Sequence, residues 1–324
     1  MSELICKNRA EVKDLDMKKN YPAGLEMLFV ENDKVVSMDA DLMRAIGTVG
    51  LWRKYPERVI ECGIAEANMI GVAAGLSSEG YVPFVHTFAA FASRRVFDQV
   101  FMSCAYAKLN VKIVGSDPGV VAQMNGGTHT ANEDIAMMRT LPGVTVVEVT
   151  DAVALPQIMR QAAAQYGTFY IRMPRCAVPR VYAEDARLTV GKANVLRDGR
   201  DVTIFACGIE VSQALDAADI LAAEGIEATV VDVFTIQPLD VETIVREARK
   251  TGAVVTAENH SINGGLGSAI AECLGEHCPM PMERIGNLGE FGDVGKLAYL
   301  MKRYHLTAED IAEKVRSVVS RKSE

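Results

Sequence analysis

Basic side chains are in the minority in this 324-residue sequence: 34 Lys and Arg stand against 42 Asp and Glu, a formal net charge of −8. That deficit removes the electrostatic basis for binding nucleic acid or an anionic membrane surface, while small anionic ligands held by local positive charge stay possible. No apolar run approaches the roughly 20 residues needed to span a bilayer. The opening MSELICKNRAEVKDLDMKKN is too charged for a signal peptide, so a cytoplasmic protein is expected. The seven cysteines (6, 62, 104, 176, 207, 273 and 278) are odd in number and scattered, unlike a disulfide framework. Cys273 and Cys278 flank His277, but no second ligand pair has zinc-site spacing, and the end of a helix is the expected reading. There is no P-loop, no GxGxxG fingerprint, no internal repeat and no low-complexity segment.

What is present is apolar and periodic. Hydrophobic residues make up 49% of the chain, enough for substantial cores, and the length suits about two domains. Apolar runs predict strands at 34–39, 82–86, 111–115, 144–149 and 168–172, with helices near 64–79, 89–107, 132–140 and 152–166. Runs such as VTVVEV are apolar at nearly every position, as parallel strands covered on both faces require. From Cys176 to Arg200 prolines, charges and the turn RDGR mark a linker. The alternation then resumes through DVTIFA, a helix at 210–224, ATVVDV, a helix at 240–251, AVVTAE, a helix entered through INGGLGS, and a terminal helix from about 307. The fold class is therefore α/β, as two consecutive α/β domains over 1–183 and 190–324.

Three features of the first half stand out. VIECGIAEANMIGVAAGL (59–76) turns at Gly63 into a helix so poor in polar groups that it is expected to be buried, yet Glu66 occupies its first turn. An acid there complements the helix dipole with or without a function. HTFAAFASRRVFDQ (86–99) places Phe88 and Phe91 three apart on one expected helical face, either as core or as a ring-stacking platform near a strand end, where α/β sheets bind ligands. GSDPGVVAQMNGGTHTANED (115–134) is a long Gly- and Asn-rich loop carrying His129, a titratable group that either serves a site or bonds its own loop.

GIAEANMIGVAAGL, TFAAFASRRVFDQ, NVKIVGSDPG…NGGTH and EDIAMMRTLPGVTVV resemble the pyrimidine-binding domain of thiamin diphosphate enzymes, in the form of a split transketolase whose C-terminal subunit this would be. TAENHSINGGLGSAIAE is similar to the C-terminal domain shared by transketolases, deoxyxylulose-phosphate synthases and 2-oxo-acid dehydrogenase β subunits. The resemblance runs from about residue 20 to near the end; residues 1–20 match nothing. It implies transfer of a two-carbon ketol unit between sugars, phosphorylated in the usual case. It also gives Glu66 a chemical role, bonding a ring nitrogen of the cofactor so that the aminopyrimidine can act as the base at thiazolium C2. Phe88 and Phe91 would stack on that ring, with Asp41 and Arg94 beside the cofactor, and His129 would hydrogen-bond the donor's oxygens. Asp39 and Asp41, at a strand end, could equally cap the next helix.

Family features are also absent or changed. No Gly-Asp-Gly, the diphosphate–magnesium motif, occurs in the chain, which implies a partner N-terminal subunit holding Mg, plausibly in an α2β2 assembly with cofactor sites between subunits. Arg175 falls on the phosphate-binding arginine, but Asp117 replaces a histidine, Ala45 a serine and Asn125 an aspartate. Lys18 suits the spacing of a further phosphate-binding arginine better than Arg9 does. Substrate recognition is expected to depart from the family. His260 and the glycines after it could mark an anion-binding helix start, although close helix packing explains GGLGS as well. A 2-oxo-acid dehydrogenase β subunit, or a non-catalytic regulatory paralogue, is the alternative function.

Overall fold

The computed structural model describes residues 3–6, 9 and 15–323. The first half supplies six strands to a large sheet: β1 (Val35–Asp39), β2 (Val59–Glu61), β3 (Val82–Phe88), β4 (Lys112–Ser116), β5 (Thr145–Glu148) and β6 (Phe169–Met173). The second half supplies β7 (Asn194–Arg197), β8 (Val202–Ala206), β9 (Ala228–Asp232), β10 (Thr235–Gln237), β11 (Val254–Ser261) and β12 (Met282–Asn287). One large sheet has the order β10-β5-β6-β4-β3-β1-β2, a second β12-β11-β8-β9-β7, and the short strands Leu15–Asp16 and Ala177–Val178 form a separate antiparallel pair. Within the two large sheets pairing is parallel except for β10 against β5 and β7 against β9. β10 is thus a strand of the second half that completes the first sheet, so the two halves share an edge that the linker signal at Cys176–Arg200 did not reveal.

Registers align the carboxyl ends of the central strands. Asp39 sits opposite His86, Phe88 opposite Ser116, and Ser116 opposite Met173. Candidate residues at these ends therefore converge although they are far apart in sequence. His86 Nδ1 lies 2.8 Å from the Asp39 carboxylate and its Nε2 lies 3.0 Å from Ser116 Oγ, all three buried. The trio resembles a nucleophilic triad, but it is sealed from solvent and ties β1, β3 and β4 together.

Several predicted elements differ in detail. The expected helix 89–107 is broken: Ala89–Ala92 makes one turn, Ser93 leaves the helical region at φ −113, ψ −89, and Phe97–Gln99 leads into a π-helix over Val100–Tyr106. Phe88 is accordingly the last residue of β3, not a helical partner of Phe91. A helix over Met17–Glu31, absent from the expected elements, forms although Pro22 lies inside it. Packing holds it: Tyr21, Leu25 and Leu28 are buried, and Gly24 lies so close to Met159 that an added Cβ would meet its sulfur at 2.7 Å.

The helix Glu66–Ser78 is the sharpest difference. Glu66, Met69, Ile70, Ala73, Ala74 and Ser77 are buried, but Ala67, Asn68, Gly71, Val72 and Gly75 lie open on the other face. An added Cβ at Gly71 or Gly75 would touch nothing. A helix apolar on all sides buries all sides only when something covers them, and the isolated chain covers one.

Candidate active site

Glu66 opens its helix directly after the turn at Gly63, and its side chain is 4% exposed. Its Oε1 accepts from Arg95 Nη1 at 2.7 Å and from Thr87 Oγ1 at 3.5 Å. Beside it stand three rings. Phe91 and His129 are 5.1 Å apart at 64°, Phe88 and His129 5.5 Å at 75°, and the two phenylalanines 6.1 Å at 63°, all edge-to-face arrangements. Phe91, Arg94, Arg95, Thr128 and His129 line an open recess of about 580 Å³. A buried carboxylate next to a wall of aromatic rings suits a flat heteroaromatic ring that needs both stacking and a hydrogen bond, so the residues present fit the aminopyrimidine of thiamin diphosphate.

The histidine loop is held from both sides. His129 Nδ1 and the Thr128 hydroxyl pair at 2.9 Å. Arg94, expected beside the cofactor, lines the recess and donates to Thr128 O at 2.6 Å and Glu133 Oε1 at 2.6 Å, clamping the loop. The arginine that reaches the buried carboxylate is Arg95. From the second half, Asn259 donates to Pro118 O at 3.0 Å and accepts from Val120 N at 2.8 Å. Gly119 lies between them at φ +54, and an added Cβ would meet Asn259 Oδ1 at 2.2 Å, so only glycine fits.

A second groove of about 630 Å³ runs past Lys18, Lys19, Ala45, Asp117, Asn125 and Arg175. Asp117 does not face it as a lone charge. It accepts from Arg175 N at 3.0 Å and from Arg175 Nε at 2.6 Å, and it is also paired with Nη2. Arg175 Nη1 further donates to Ala45 O at 3.3 Å, and the guanidinium lies 4.8 Å from the Phe88 ring centroid. The fork neutralises Asp117 and fixes Arg175 beside the aromatic wall. Asp41, at φ 60, is exposed, its N–H held by Glu61 Oε1 at 2.7 Å; the buried acid of that pair is Asp39. Arg9 is remote from the groove and binds Ser212 and Asp216. The helix start after His260 is not free for an anion: Glu258 already accepts from Leu266 N at 2.7 Å and Gly267 N at 2.8 Å.

Sequence reasoning missed Asn259 and the Asp39–His86–Ser116 tie, and of the adjacent Arg94 and Arg95 it assigned the place beside the cofactor to Arg94. His86, a polar residue inside the apolar run VPFVHTF, was the one available signal.

Residues 13–180 match the family model of the transketolase pyrimidine binding domain, and residues 191–311 that of the transketolase C-terminal domain. The chain is 52% identical to a 6-deoxy-6-sulfo-D-fructose transketolase subunit of Clostridium sp. (strain MSTE9), over 90% of this chain and 91% of that one. It is 36% identical to one of the subunits of the apulose-4-phosphate transketolase of Phocaeicola vulgatus (strain ATCC 8482), over 91% and 95% of the two chains. A solved split gene transketolase, described as an inactive beta4 tetramer, superposes with a TM-score of 0.88 at 42% identity, covering 96% of this chain and 100% of that one. The chain belongs to the transketolase family, whose ketol transfer depends on thiamin diphosphate, and it has the two-domain extent of the C-terminal subunit of a split enzyme.

Proposed function

We propose that this chain transfers a two-carbon ketol unit from a ketose to an aldose only when joined to an N-terminal subunit carrying the diphosphate and Mg ligands, as a cytoplasmic α2β2 enzyme. The observation that carries the chemistry is Glu66, buried and linked through Arg95 to Phe91, which with Phe88 and His129 forms the aromatic wall. Partner dependence is supported by the missing Gly-Asp-Gly and by the uncovered face of the helix that begins at Glu66.

When bound, thiamin diphosphate supplies the nucleophilic carbon that breaks and remakes the C–C bond beside the ketose carbonyl. Glu66 would hold the ring nitrogen and share its proton. Phe88 and Phe91 would pack against the ring and exclude water. His129, in the same recess, hydrogen-bonds the donor's oxygens and passes a proton as the bond breaks. Asn125 accepts from a substrate hydroxyl without adding charge.

We further propose a donor ending in a sulfonate. Arg175 is already charge-compensated by Asp117, so it favours a singly charged oxyanion over a phosphate dianion. The relative at 52% identity acts on a sulfonated ketose, which agrees with that preference. Lys18 and Lys19 in the same groove are the counter-observation, since they could balance a second charge.

The test is kcat/KM for 6-deoxy-6-sulfofructose against fructose 6-phosphate, with the chain alone and with its N-terminal subunit. Turnover is expected only in the complex, with the sulfonate preferred. Asp117→His should shift the ratio towards phosphate by roughly tenfold, the worth of a charge-assisted contact of about 1.5 kcal/mol. A wild-type preference for phosphate that Asp117→His leaves unmoved would defeat the substrate reading, and turnover by the chain alone would defeat partner dependence.

A further inference from the structure

Glu66 is not a free carboxylate in this chain, and the group that holds it has an unusual posture. Arg95 Nη1 donates to Glu66 Oε1 at 2.7 Å, while the guanidinium carbon lies 3.7 Å from the centroid of the Phe91 ring. A guanidinium is planar and stacks on aromatic faces. One side chain therefore makes both contacts that the aminopyrimidine would need in this recess, stacking on Phe91 and an N–H bond to Glu66.

The two partners differ in freedom. Glu66 is 4% exposed and fixed at the start of a 13-residue helix, whereas the Arg95 side chain is 42% exposed. Arg95 also sits in the non-helical break between Ala89–Ala92 and Phe97–Gln99, so its side chain can swing outward without unwinding a helix. Arg94, by contrast, is committed to Thr128 and Glu133.

We infer that Arg95 is a placeholder for the cofactor ring: it occupies the pyrimidine position in the unloaded subunit and withdraws when thiamin diphosphate binds. A buried carboxylate stripped of its partner is costly, and Arg95 removes that cost before the cofactor arrives. The same contact makes loading competitive. Only the fraction of molecules with Arg95 withdrawn can accept the ring, so the apparent affinity is reduced by that fraction. The inference rests on the thiamin diphosphate reading above.

The experiment is calorimetric and stopped-flow titration of the two-subunit complex with thiamin diphosphate and Mg²⁺, for wild type, Arg95→Ala, Arg95→Lys and Glu66→Gln. Arg95→Ala is expected to bind at least threefold tighter, with the gain in the association rate, and methylguanidinium should reverse the gain by refilling the position. Arg95→Lys, which keeps the charge but cannot stack flat, should fall between. Affinity that is unchanged or weakened in Arg95→Ala overturns the placeholder role while leaving the cofactor reading intact. Absence of saturable binding in wild type overturns both.

Discussion

Glu66 could have been an ordinary first-turn acid, and position alone did not separate the two roles. Its burial, with Arg95 linking it to Phe91, supports the proposed cofactor role, and a substitution tests that role. Glu66→Gln keeps the size and the hydrogen-bonding neighbours but cannot exchange a proton with a ring nitrogen. In the two-subunit complex, hydrogen–deuterium exchange at cofactor C2 is expected to fall by about a hundredfold or more, the usual scale for a lost acid–base group, with the thermal midpoint unchanged. Exchange at the wild-type rate would return Glu66 to its dipole role. The candidates Glu66, Phe88, Phe91 and His129 could be named from the sequence because each belongs to a motif of the family resemblance, and the fold brings them together. The partners of Asp117 were not: that an aspartate at this place neutralises Arg175 instead of repelling the substrate depends on β4 and β6 lying side by side.

At the scale of the element, the histidine loop owes its shape to another domain. Asn259, at the end of β11, closes both free backbone groups around Gly119. Asn259→Ala would leave the Val120 N–H and the Pro118 carbonyl unpaired, a cost of about 1–3 kcal/mol. Urea unfolding should register that loss, and amide exchange at Val120 should quicken, with kcat falling as His129 loses its fixed place. Exchange at Val120 that stays slow would show that the loop holds itself. A loop rich in glycine announces that the backbone must bend sharply; it does not announce which side chain, some 140 positions later, will fill the bend. The broken helix after Phe88 was hidden for a similar reason, since FAAFASRRVFDQ is a sound helical pattern locally. Arg94 and Arg95, at the break, are turned to the loop and to Glu66.

Across the whole molecule the two halves are joined by a buried charged network. Arg172, fully buried, pairs with Asp134 and Glu148 and donates to Asn259 O at 2.7 Å. Burial also pushes the carboxyls of Glu258 and Asp232 up to about 7 from their ordinary 4.5 and 3.8, and raises Glu148, Glu210 and Asp151. Between about pH 4 and 7 the folded chain therefore keeps protons that the unfolded chain has released, so stability falls as pH rises through that window. His260, lowered by burial to about 4, acts in the opposite sense between pH 4 and 6.5, but it is one group against several. The urea midpoint is expected to be lower at pH 7 than at pH 5, and Asp232→Asn should remove about one proton from the slope. A midpoint that rises between those two values would mean that these acids ionise in the fold.

Strand and helix periodicity, the cysteine pattern, the acidic balance and the missing Gly-Asp-Gly are properties of local residue order, so the sequence by itself determined the α/β class, the two-domain plan and the family, and it named the residues proposed here for the cofactor. Tertiary structure decided what distance along the chain conceals: that β10 of the second half completes the first sheet, that one face of the Glu66 helix is left open, and that Arg175 is already paired. It also decided that Arg95, not Arg94, lies on the carboxylate. These are meetings between side chains from separate elements, and such meetings depend on strand order and register, which no local pattern encodes.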